Sequence, residues 1–333
     1  MLISGPALML GIDSIQVAPD GVRLSMRQSN SFVCVMSEIY SSLRLFKVKK
    51  GKIVRNHHRP QFRISGKPAS DELVATPAGL FPRANIHSVP EGARIHHRLN
   101  EVQLVAATVA SFTLLPFVTN ISPVPISGYV AYSYWKNAGK SNIGSFSTSW
   151  VVPPVPKTAD GQILYIFNAL VPNSFDGIFQ PVLQFGATPA GGGNYWAAAS
   201  WYIVGSHTYY TVPAQVEAGQ NITGVMTYEG TEGSGSNLEY LWEAVFTGIP
   251  STSLYIGTSE VFNYAYEALE IYTASGPSDL PTGSTMMANI NIATQDGGHP
   301  TLNWTSVVDS ADGFKIAVIS SASIDGSVQI TYP

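Results

Sequence analysis

The stretch IFQPVLQFG, residues 178–186, gives the clearest indication of the fold and of a site. It is apolar apart from Gln180 and Gln184, and because alternate residues of a strand share a face, both amides project to one side. A buried amide costs free energy unless it is hydrogen-bonded, so each glutamine needs a reason to be there. A glycine-rich turn and a second apolar strand, NYWAAASWYIV, follow directly. We expect one of the two glutamines to be catalytic and a glutamate far downstream to complete the site.

The chain around this stretch predicts an all-β protein. From Tyr129 onwards, short runs such as ILYIFNAL, ITGVMTYE and LEYLWEAVF alternate with turn signals at regular intervals, the pattern of a sandwich or barrel. Within LEYLWEAVF, Leu238, Tyr240 and Trp242 fall on one face. Only 12% of the 333 residues are charged, 45% are hydrophobic, and there are 30 Gly and 22 Pro. This composition suits many strands and turns and excludes a disordered chain.

Charge is divided unevenly along the chain. Residues 1–120 contain 14 Lys+Arg and 7 Asp+Glu, whereas residues 121–333 contain 4 and 15, together with all six Trp. We therefore expect residues 1–122 to be a basic, β-rich pro-segment or cap that ends in a linker, and residues 123–333 to be a β-sandwich domain. The opposite charges are either unrelated surface features, or they hold a propeptide on the domain that it inhibits until acid protonates the carboxylates.

Several familiar chemistries are excluded by missing motifs. The sequence has no GxSxG elbow, no HExxH and no Asp-Thr/Ser-Gly loop. The two carboxylates of a glycosidase stand about 5 Å or about 6.5–9.5 Å apart. Glu239 and Glu243, on one face of one strand, are roughly 13 Å apart by strand rise and so are not such a pair, whereas a pair formed across neighbouring strands stays open. Cys34 is the only cysteine, so no disulfide forms within the chain.

No cofactor and no metal are expected. His87, His96 and His97 lie close together in sequence, but no Cys or carboxylate cluster completes a metal site, and they are interpreted as surface residues of strands. The acidic main domain would repel phosphate, so nucleic acid is not an expected partner. No segment reaches the ~20 apolar residues of a membrane span, so no membrane partner is expected either. Three N-glycosylation sequons, beginning at Asn120, Asn221 and Asn303, favour a secreted protein, and we expect a monomer.

A set of motifs in a fixed order resembles the glutamic peptidases of fungi, the eqolisins. The motifs are SWVVPP (149–154), VLQFG (182–186), ASWYIV (199–204), VEAGQNITGVM (216–226), and ALEIY (268–272) followed by DLP (279–281). The resemblance covers about residues 128–333. It implies a sandwich of two large antiparallel sheets, of the concanavalin or jelly-roll type, with the active site on the concave face.

The resemblance also implies a catalytic pair. Gln184 matches the family's glutamine through VLQFG, and Glu270 matches its glutamate through a small residue, Glu and a hydrophobic residue ahead of the proline turn. The family has Trp where this chain has Ile271, and Leu269 stands between the alanine and the glutamate. Because these differences affect the register of the strand, Glu267 is the alternative carboxylate.

Protein or peptide substrates are the partners that the resemblance implies. Aromatic residues are expected to line the cleft and bind substrate side chains, and a polar neighbour of the catalytic glutamine is expected to shape it. The expected substrate-binding residues are Gln180, Trp196, Trp201 and Tyr202. For each aromatic residue the alternative is ordinary packing in the core of the sandwich.

A glutamine and a glutamate together suit peptide hydrolysis in acid. The glutamate takes a proton from water as general base and returns it to the leaving amine. The neutral amide donates to the oxyanion of the tetrahedral intermediate without titrating. With an ordinary pKa of about 4.3, a glutamate suits this task in acidic surroundings. We therefore expect an acid-active endopeptidase. The alternatives are a carbohydrate-binding, lectin-like sandwich and a catalytically inactive relative that keeps the fold.

Overall fold

The computed structural model describes residues 72–98 and 128–333, together with the course of strands within residues 12–54 and 101–114. The chain divides into two compact units, Met1–Lys67 with Val124–Ser127 and Pro68–Pro123 with Gly128–Pro333. The first unit contains a five-stranded antiparallel sheet in chain order. Its strands are β1 (Ile12–Ala18), β2 (Gly21–Met26), β3 (Phe32–Met36), β4 (Arg44–Lys49) and β5 (Lys52–Val54). The side chain of Cys34 lies outside the described residues.

The second unit is built almost entirely of strands. They are β6 (Leu73–Thr76), β7 (Gly79–Pro82), β8 (Ile86–Ser88), β9 (Arg94–Arg98), β10 (Glu101–Val105), β11 (Phe112–Leu114), β12 (Tyr129–Lys136), β13 (Ile143–Val151), β14 (Ile163–Pro172), β15 (Gly177–Phe185), β16 (Trp196–Val204), β17 (His207–Tyr210), β18 (Ala214–Val216), β19 (Asn221–Glu232), β20 (Glu239–Phe246), β21 (Leu254–Thr258), β22 (Phe262–Tyr272), β23 (Ser284–Thr294), β24 (Thr305–Val308), β25 (Lys315–Ser320) and β26 (Gly326–Thr331). Single turns of 3₁₀ helix occur at Arg83–Asn85, Gly235–Asn237, Pro277–Asp279 and Ser310–Asp312. Within the described residues, none of the helices has the length and apolar character needed to cross a membrane.

These strands form two large sheets and one separate hairpin. Sheet I has the order β11-β10-β9-β21-β20-β19-β13-β23-β26-β25, and sheet II has the order β24-β12-β22-β14-β15-β16-β17-β8, with β18 also paired to β16. Most neighbours are antiparallel, as expected, but β8 pairs with β17 and β9 with β21 in parallel. The segment that precedes the main domain therefore contributes β8 to sheet II and β9, β10 and β11 to sheet I. The separate hairpin consists of β6 and β7.

Sheets I and II pack face to face, which gives the predicted β-sandwich. The ring of Trp242 on sheet I lies 5.3 Å from that of Phe262 on sheet II. Side-chain hydrogen bonds also cross between the sheets, and Asn168 donates to the backbone carbonyl of Gly224 at 3.2 Å. The large residues of this interior are fully buried, and burial of each stabilises the fold by about 1.5–3 kcal/mol. The all-β sandwich expected from the alternating strands is confirmed.

Strands β15 and β16 occupy the middle of sheet II and are buried at every position. One face of a strand packs against sheet I, so complete burial requires cover on the other face as well. The β6–β7 hairpin provides part of that cover, since it reaches side chains of β14, β15 and β22. Because β15 is buried on both faces, IFQPVLQFG is apolar at nearly every position.

Candidate active site

Gln184 and Glu270 lie on the same cross-strand row of sheet II. Tyr165 on β14 is directly opposite Gln184 on β15, and it is also directly opposite Glu270 on β22. Residues opposite one another in adjacent strands project to the same face of a sheet. Two strand spacings separate the outer members of the row, which places their Cα atoms about 10 Å apart.

The row faces away from sheet I. Leu164 and Ile166, the neighbours of Tyr165 along β14, both belong to the core between the sheets. Because side chains alternate along a strand, Tyr165 projects to the opposite side, which we call the outer face of sheet II. Gln184 and Glu270 project to the outer face with it.

Glu267 lies on the other side of the same strand. It is fully buried in the interior of the sandwich, where Thr148 of sheet I donates a hydrogen bond to its Oε1. Burial raises the pKa of Glu267 well above its usual value, and the bond from Thr148 opposes that shift. The structure thus separates the two candidate carboxylates: Glu270 shares a face with Gln184, whereas Glu267 joins the two sheets.

Glu270 is fully buried beneath the outer face. Its Oε1 accepts a hydrogen bond from the hydroxyl of Tyr272, and its Oε2 has no partner among the described residues. Burial raises the pKa of this carboxyl well above its usual value, while the bond from Tyr272 acts in the opposite direction. Gly128 packs against the pair with φ +118°, and a Cβ there would lie 2.9 Å from Oε1 of Glu270.

The amide of Gln184 is held by the glycine-rich turn that follows its strand. Nε2 donates to the carbonyl of Gly191 at 2.8 Å and lies 3.2 Å from both the carbonyl of Gly186 and Oγ1 of Thr188. A Cβ on Gly192 would approach Nε2 to 2.4 Å, so the turn requires glycine at that position. The two amide protons therefore point at the turn, whereas Oε1 is buried without a partner among the described residues.

Two of the four expected substrate-binding residues lie on the outer face. Gln180 follows the same alternation as Gln184, and Trp201 lies opposite it on β16. The Trp201 ring is 6.3 Å from that of Tyr165, in an edge-to-face arrangement. Nε1 of Trp201 and Oε1 of Gln180 are buried without partners among the described residues.

Trp196 and Tyr202 differ from the expectation, because both lie in the core between the sheets. The Trp196 ring packs 5.4 Å from that of Phe185, and the hydroxyl of Tyr202 lies 2.8 Å from Nδ1 of His97. The reason is the two-residue period of a strand, which sends adjacent residues to opposite faces. Trp201 and Tyr202 therefore cannot both line one cleft.

The β6–β7 hairpin lies across the outer face, and side chains of sheet II bind its backbone. Tyr165 donates from its hydroxyl to the carbonyl of Ala75 at 3.1 Å, and Tyr272 donates to that of Thr76 at 3.2 Å. Nε2 of Gln180 donates to the carbonyl of Pro77. Neither tyrosine was expected from the sequence, although Tyr272 follows Glu270 by two residues and so had to share its face.

Five buried polar atoms on the outer face have no partner among the described residues. They are Oε1 of Gln180, Oε1 of Gln184, Nε1 of Trp201, Oγ1 of Thr208 and Oε2 of Glu270. Buried polar side chains are nearly always hydrogen-bonded, because an unmade bond costs about 1–3 kcal/mol. Atoms of the same kind also lie between the sheets, among them Nε1 of Trp150 and Trp242 and Oε2 of Glu267, so the feature is not confined to the outer face.

Two histidines on the strands that follow the β6–β7 hairpin, His87 on β8 and His97 on β9, contact side chains of sheet II. His87 on β8 lies with Nε2 3.1 Å from Nδ1 of His207 on β17. Burial, followed by the charge of His207, lowers the pKa of His87 to about 4. Burial also lowers the pKa of His97 to about 4, against the opposing charge of Glu239. Within the described residues, no group of three or more His, Cys, Asp or Glu is placed to hold a metal ion.

Comparisons with known proteins concern the strand arrangement. No protein-family model and no curated protein sequence matches the chain. A crystal structure of scytalidoglutamic peptidase with a peptide-based transition-state analogue is similar at 10% identity and a TM-score of 0.42, over 62% of this chain and 98% of that chain. A structure of the same peptidase with a transition-state analogue inhibitor has 10% sequence identity and a TM-score of 0.40, over the same shares of the two chains. SCP-B, an eqolisin-family peptidase in complex with the tripeptide Ala-Ile-His, has 12% sequence identity and a TM-score of 0.37, over 62% of this chain and 98% of that chain. At this level of identity, the similarity is one of fold alone.

Proposed function

We propose that the chain is an acid-active endopeptidase in which Glu270 is the general base and Gln184 stabilises the oxyanion. The observation that carries the proposal is the shared row of the two residues on the outer face, with Tyr165 between them. The buried, unpartnered Oε1 of Gln184 and Oε2 of Glu270 lie on that same face. Both side chains are fully buried, so a ligand reaches them only once the cover of the outer face has been displaced.

The chemistry divides between the two side chains. Glu270 takes a proton from a water molecule, and the resulting hydroxide attacks the carbonyl carbon of the substrate peptide bond. The carbonyl oxygen becomes an oxyanion, to which an amide N–H of Gln184 donates. Glu270 then returns the proton to the leaving nitrogen as the carbon–nitrogen bond breaks. The amide remains neutral throughout, so its donor function persists in acid.

Two features of the structure belong to a closed form of this site. The amide protons of Gln184 are held by the turn at residues 186–191, so the turn has to release one of them before an oxyanion is bound. Burial raises the pKa of Glu270, and a protonated carboxyl is not a base. Removal of the β6–β7 hairpin would admit water, which favours the ionised carboxylate and brings the pKa down.

The proposal keeps residues 1–122 as a leader that is removed or displaced. The leader contributes β8 and β9 to the two sheets, so its departure breaks one parallel pairing in each. The substrates are proteins or peptides, and the protein acts outside the cell. The exposed sequon residues Asn221 and Asn303 are compatible with glycosylation during secretion.

Degradation of a denatured protein across a range of acidic pH tests the proposal. We expect cleavage that is insensitive to pepstatin-type inhibitors and that falls at least a hundredfold in Gln184→Ala and in Glu270→Gln, the scale of a lost oxyanion donor or general base, ~10²–10⁴. Gln295→Ala and Glu232→Gln are matched controls, because both residues are exposed and lie at the ends of strands of sheet I, β23 and β19, away from this row. Full activity in either site variant would show that the assignment is wrong.

A second candidate function is carbohydrate binding, favoured by a cluster of tyrosines on the outer face of β12 and β22. The rings of Tyr134 and Tyr266 stack at 5.5 Å, and Tyr132 lies 6.0 Å from Tyr266. Tyr132 and Tyr134 are partly exposed and Tyr266 is buried beside them, and partly exposed aromatic rings are suitable platforms for sugar rings. Binding on a glycan array, together with no cleavage of any protein substrate, would support this candidate over the peptidase.

A further inference from the structure

The β6–β7 hairpin meets the outer face mainly through its backbone. Side chains of sheet II bind the carbonyls of three consecutive residues, 75–77, and the three donors come from three different strands. A set of donors that binds successive main-chain carbonyls does not depend on the side chains of the segment it holds. Because successive carbonyls of an extended chain point in opposite directions, such a set is suited to bind a peptide that turns as residues 75–77 do, whatever its side chains.

One of the three donors belongs to the proposed catalytic row, and the other two lie beside it on the same face. Tyr165 is the middle member of the row, and Tyr272 lies two residues beyond Glu270 on the same face. Gln180 lies four residues before Gln184 on β15 and so shares its face. A peptide held by all three donors consequently lies over Glu270.

The hairpin is preshaped for this position. Pro77 restricts the backbone at the turn, and the carbonyl of Thr76 also accepts a bond from the amide of Ala78 at 2.8 Å. Val74, Thr76 and Phe81 are buried, whereas Leu80 is 48% exposed, so one side of the hairpin packs against the protein. A segment with little freedom left to lose binds at a low entropic cost.

We propose that Tyr165, Tyr272 and Gln180 are the residues that bind the main-chain carbonyls of a peptide substrate, and that residues 75–77 occupy the substrate's place. This inference rests on the proposed function only in so far as it calls the bound peptide a substrate. The peptide-binding site itself requires no catalysis. At this site the hydroxyl of Tyr272 lies within hydrogen-bond distance of two groups, the carbonyl of Thr76 and the carboxyl of Glu270.

Hydrogen–deuterium exchange on the full chain tests the contacts directly. We compare Tyr165→Phe, Tyr272→Phe and Gln180→Ala with Tyr134→Phe, which removes a hydroxyl from the same face away from the hairpin. Loss of one hydrogen bond is expected to speed exchange of the amides in residues 73–82 by about threefold to tenfold. Protection of β14, β15 and β22 should stay unchanged. Unaltered hairpin exchange in all three variants, or an equal loss across the whole sheet, would overturn the proposal.

A binding measurement distinguishes a binding site from a structural contact. In a full chain whose residues 73–82 are replaced by a Gly/Ser segment of equal length, a synthetic peptide with the sequence of residues 72–82 should bind and block the face. Circular dichroism and thermal unfolding establish that this chain is folded. Tyr272→Phe in that background should weaken binding of the peptide about threefold to tenfold, whereas a peptide with a thioamide at Thr76 should bind both chains equally weakly.

The outcomes separate this inference from the proposed function. Peptide binding that depends on the three donors, without cleavage of any protein, leaves the inference standing and overturns the peptidase. Cleavage of protein substrates whose KM is unchanged in Tyr165→Phe and Gln180→Ala leaves the peptidase standing and overturns the inference. If the replaced chain fails to fold, the comparison of KM in Tyr165→Phe and Gln180→Ala of the full chain still tests the inference.

Discussion

Tyr272 and Glu270 lie two residues apart on β22, and the tyrosine hydroxyl donates a hydrogen bond to Oε1 of the carboxyl. The same hydroxyl also reaches the carbonyl of Thr76, although it has a single proton to give. Its one proton is therefore divided between two acceptors while the hairpin is in place. Burial raises the pKa of Glu270 well above its usual value, and the bond from Tyr272 opposes that shift. In the proposed peptidase, displacement of the hairpin would leave the tyrosine proton to the carboxyl and admit water, and both changes favour the ionised base.

Tyr272→Phe should move the acid limb of the pH–activity profile. The bond from the tyrosine lowers the pKa of Glu270 against the effect of burial, so its loss raises that pKa. Activity requires the ionised base, and kcat should therefore fall at a higher pH in the variant than in the wild type. Tyr134→Phe should leave the limb where it is. A limb that stays in place or moves to lower pH in Tyr272→Phe contradicts the role of Glu270.

Gly128→Ala should damage both stability and activity. Gly128 has φ +118°, and an added Cβ would lie 2.6 Å from the ring of Tyr272 and 2.9 Å from the carboxyl of Glu270. We expect a loss of about 1–3 kcal/mol in the free energy of unfolding and a clear fall in kcat. Gly161→Ala is the matched control: its φ is +89°, but nothing lies within 4 Å of the added Cβ. It should lose roughly 1–2 kcal/mol and keep its activity. Equal activity in the two variants would contradict the prediction.

Glu267→Gln should flatten the dependence of stability on pH. Burial raises the pKa of Glu267 in the folded state above its usual value of 4.5. Its contribution to stability is therefore complete below about 4.5 and is lost as the pH rises through the folded pKa. Denaturant unfolding should show that the free energy of unfolding of the variant, relative to that of the wild type, is higher at about pH 8 than at roughly pH 4. Glu217→Gln, at an exposed carboxylate, should follow the wild type at both.

Acid should loosen the segment that carries the hairpin. Burial lowers the pKa of His87 and of His97 from 6.5 to about 4, so their neutral forms stabilise the folded state above 6.5. That contribution is lost as the pH falls through about 4. His87 faces His207 at 3.1 Å and the ring of Tyr209 at 5.2 Å, and a proton on His87 is repelled by the charge of its neighbour.

His97 is buried among other groups that matter for the same experiment. Its Nε2 lies 4.0 Å from Oδ2 of Asp176, its Nδ1 contacts the hydroxyl of Tyr202, and the charge of Glu239 partly stabilises its protonated form. Protection factors of the amides in residues 73–97 should fall between about pH 7 and roughly pH 4. His87→Gln should reduce this fall. Protection that is independent of pH would exclude the histidines as the cause.

The two tryptophans of β16 should behave differently on substitution. Trp196 belongs to the core between the sheets, so Trp196→Phe should lower the thermal stability and leave KM unchanged. Trp201 lies on the outer face beside Tyr165, so Trp201→Phe should change KM for a peptide substrate. Thermal unfolding and steady-state kinetics on the same preparations separate the two effects. A changed KM in Trp196→Phe alone would contradict the placement of these residues.

The sequence by itself determined the class of the fold and the strand that carries Gln184. Alternation along single strands is a local property, so runs such as LEYLWEAVF and IFQPVLQFG predicted the sandwich without knowledge of their neighbours. The same two-residue period contained the evidence against placing Trp201 and Tyr202 in one cleft. It also implied that Tyr272 accompanies Glu270.

Only the tertiary structure decided which face of each strand became the core and which residues meet across strands. The row of Gln184, Tyr165 and Glu270 joins residues far apart in the chain, and strand order and register create it. The same register turned Glu267 towards sheet I and Glu270 towards the hairpin. The contacts of residues 75–77 with the outer face depend on how a distant segment returns to the sheet. Pairing between strands is set by the sum of many non-local contacts, which no local pattern in the sequence records.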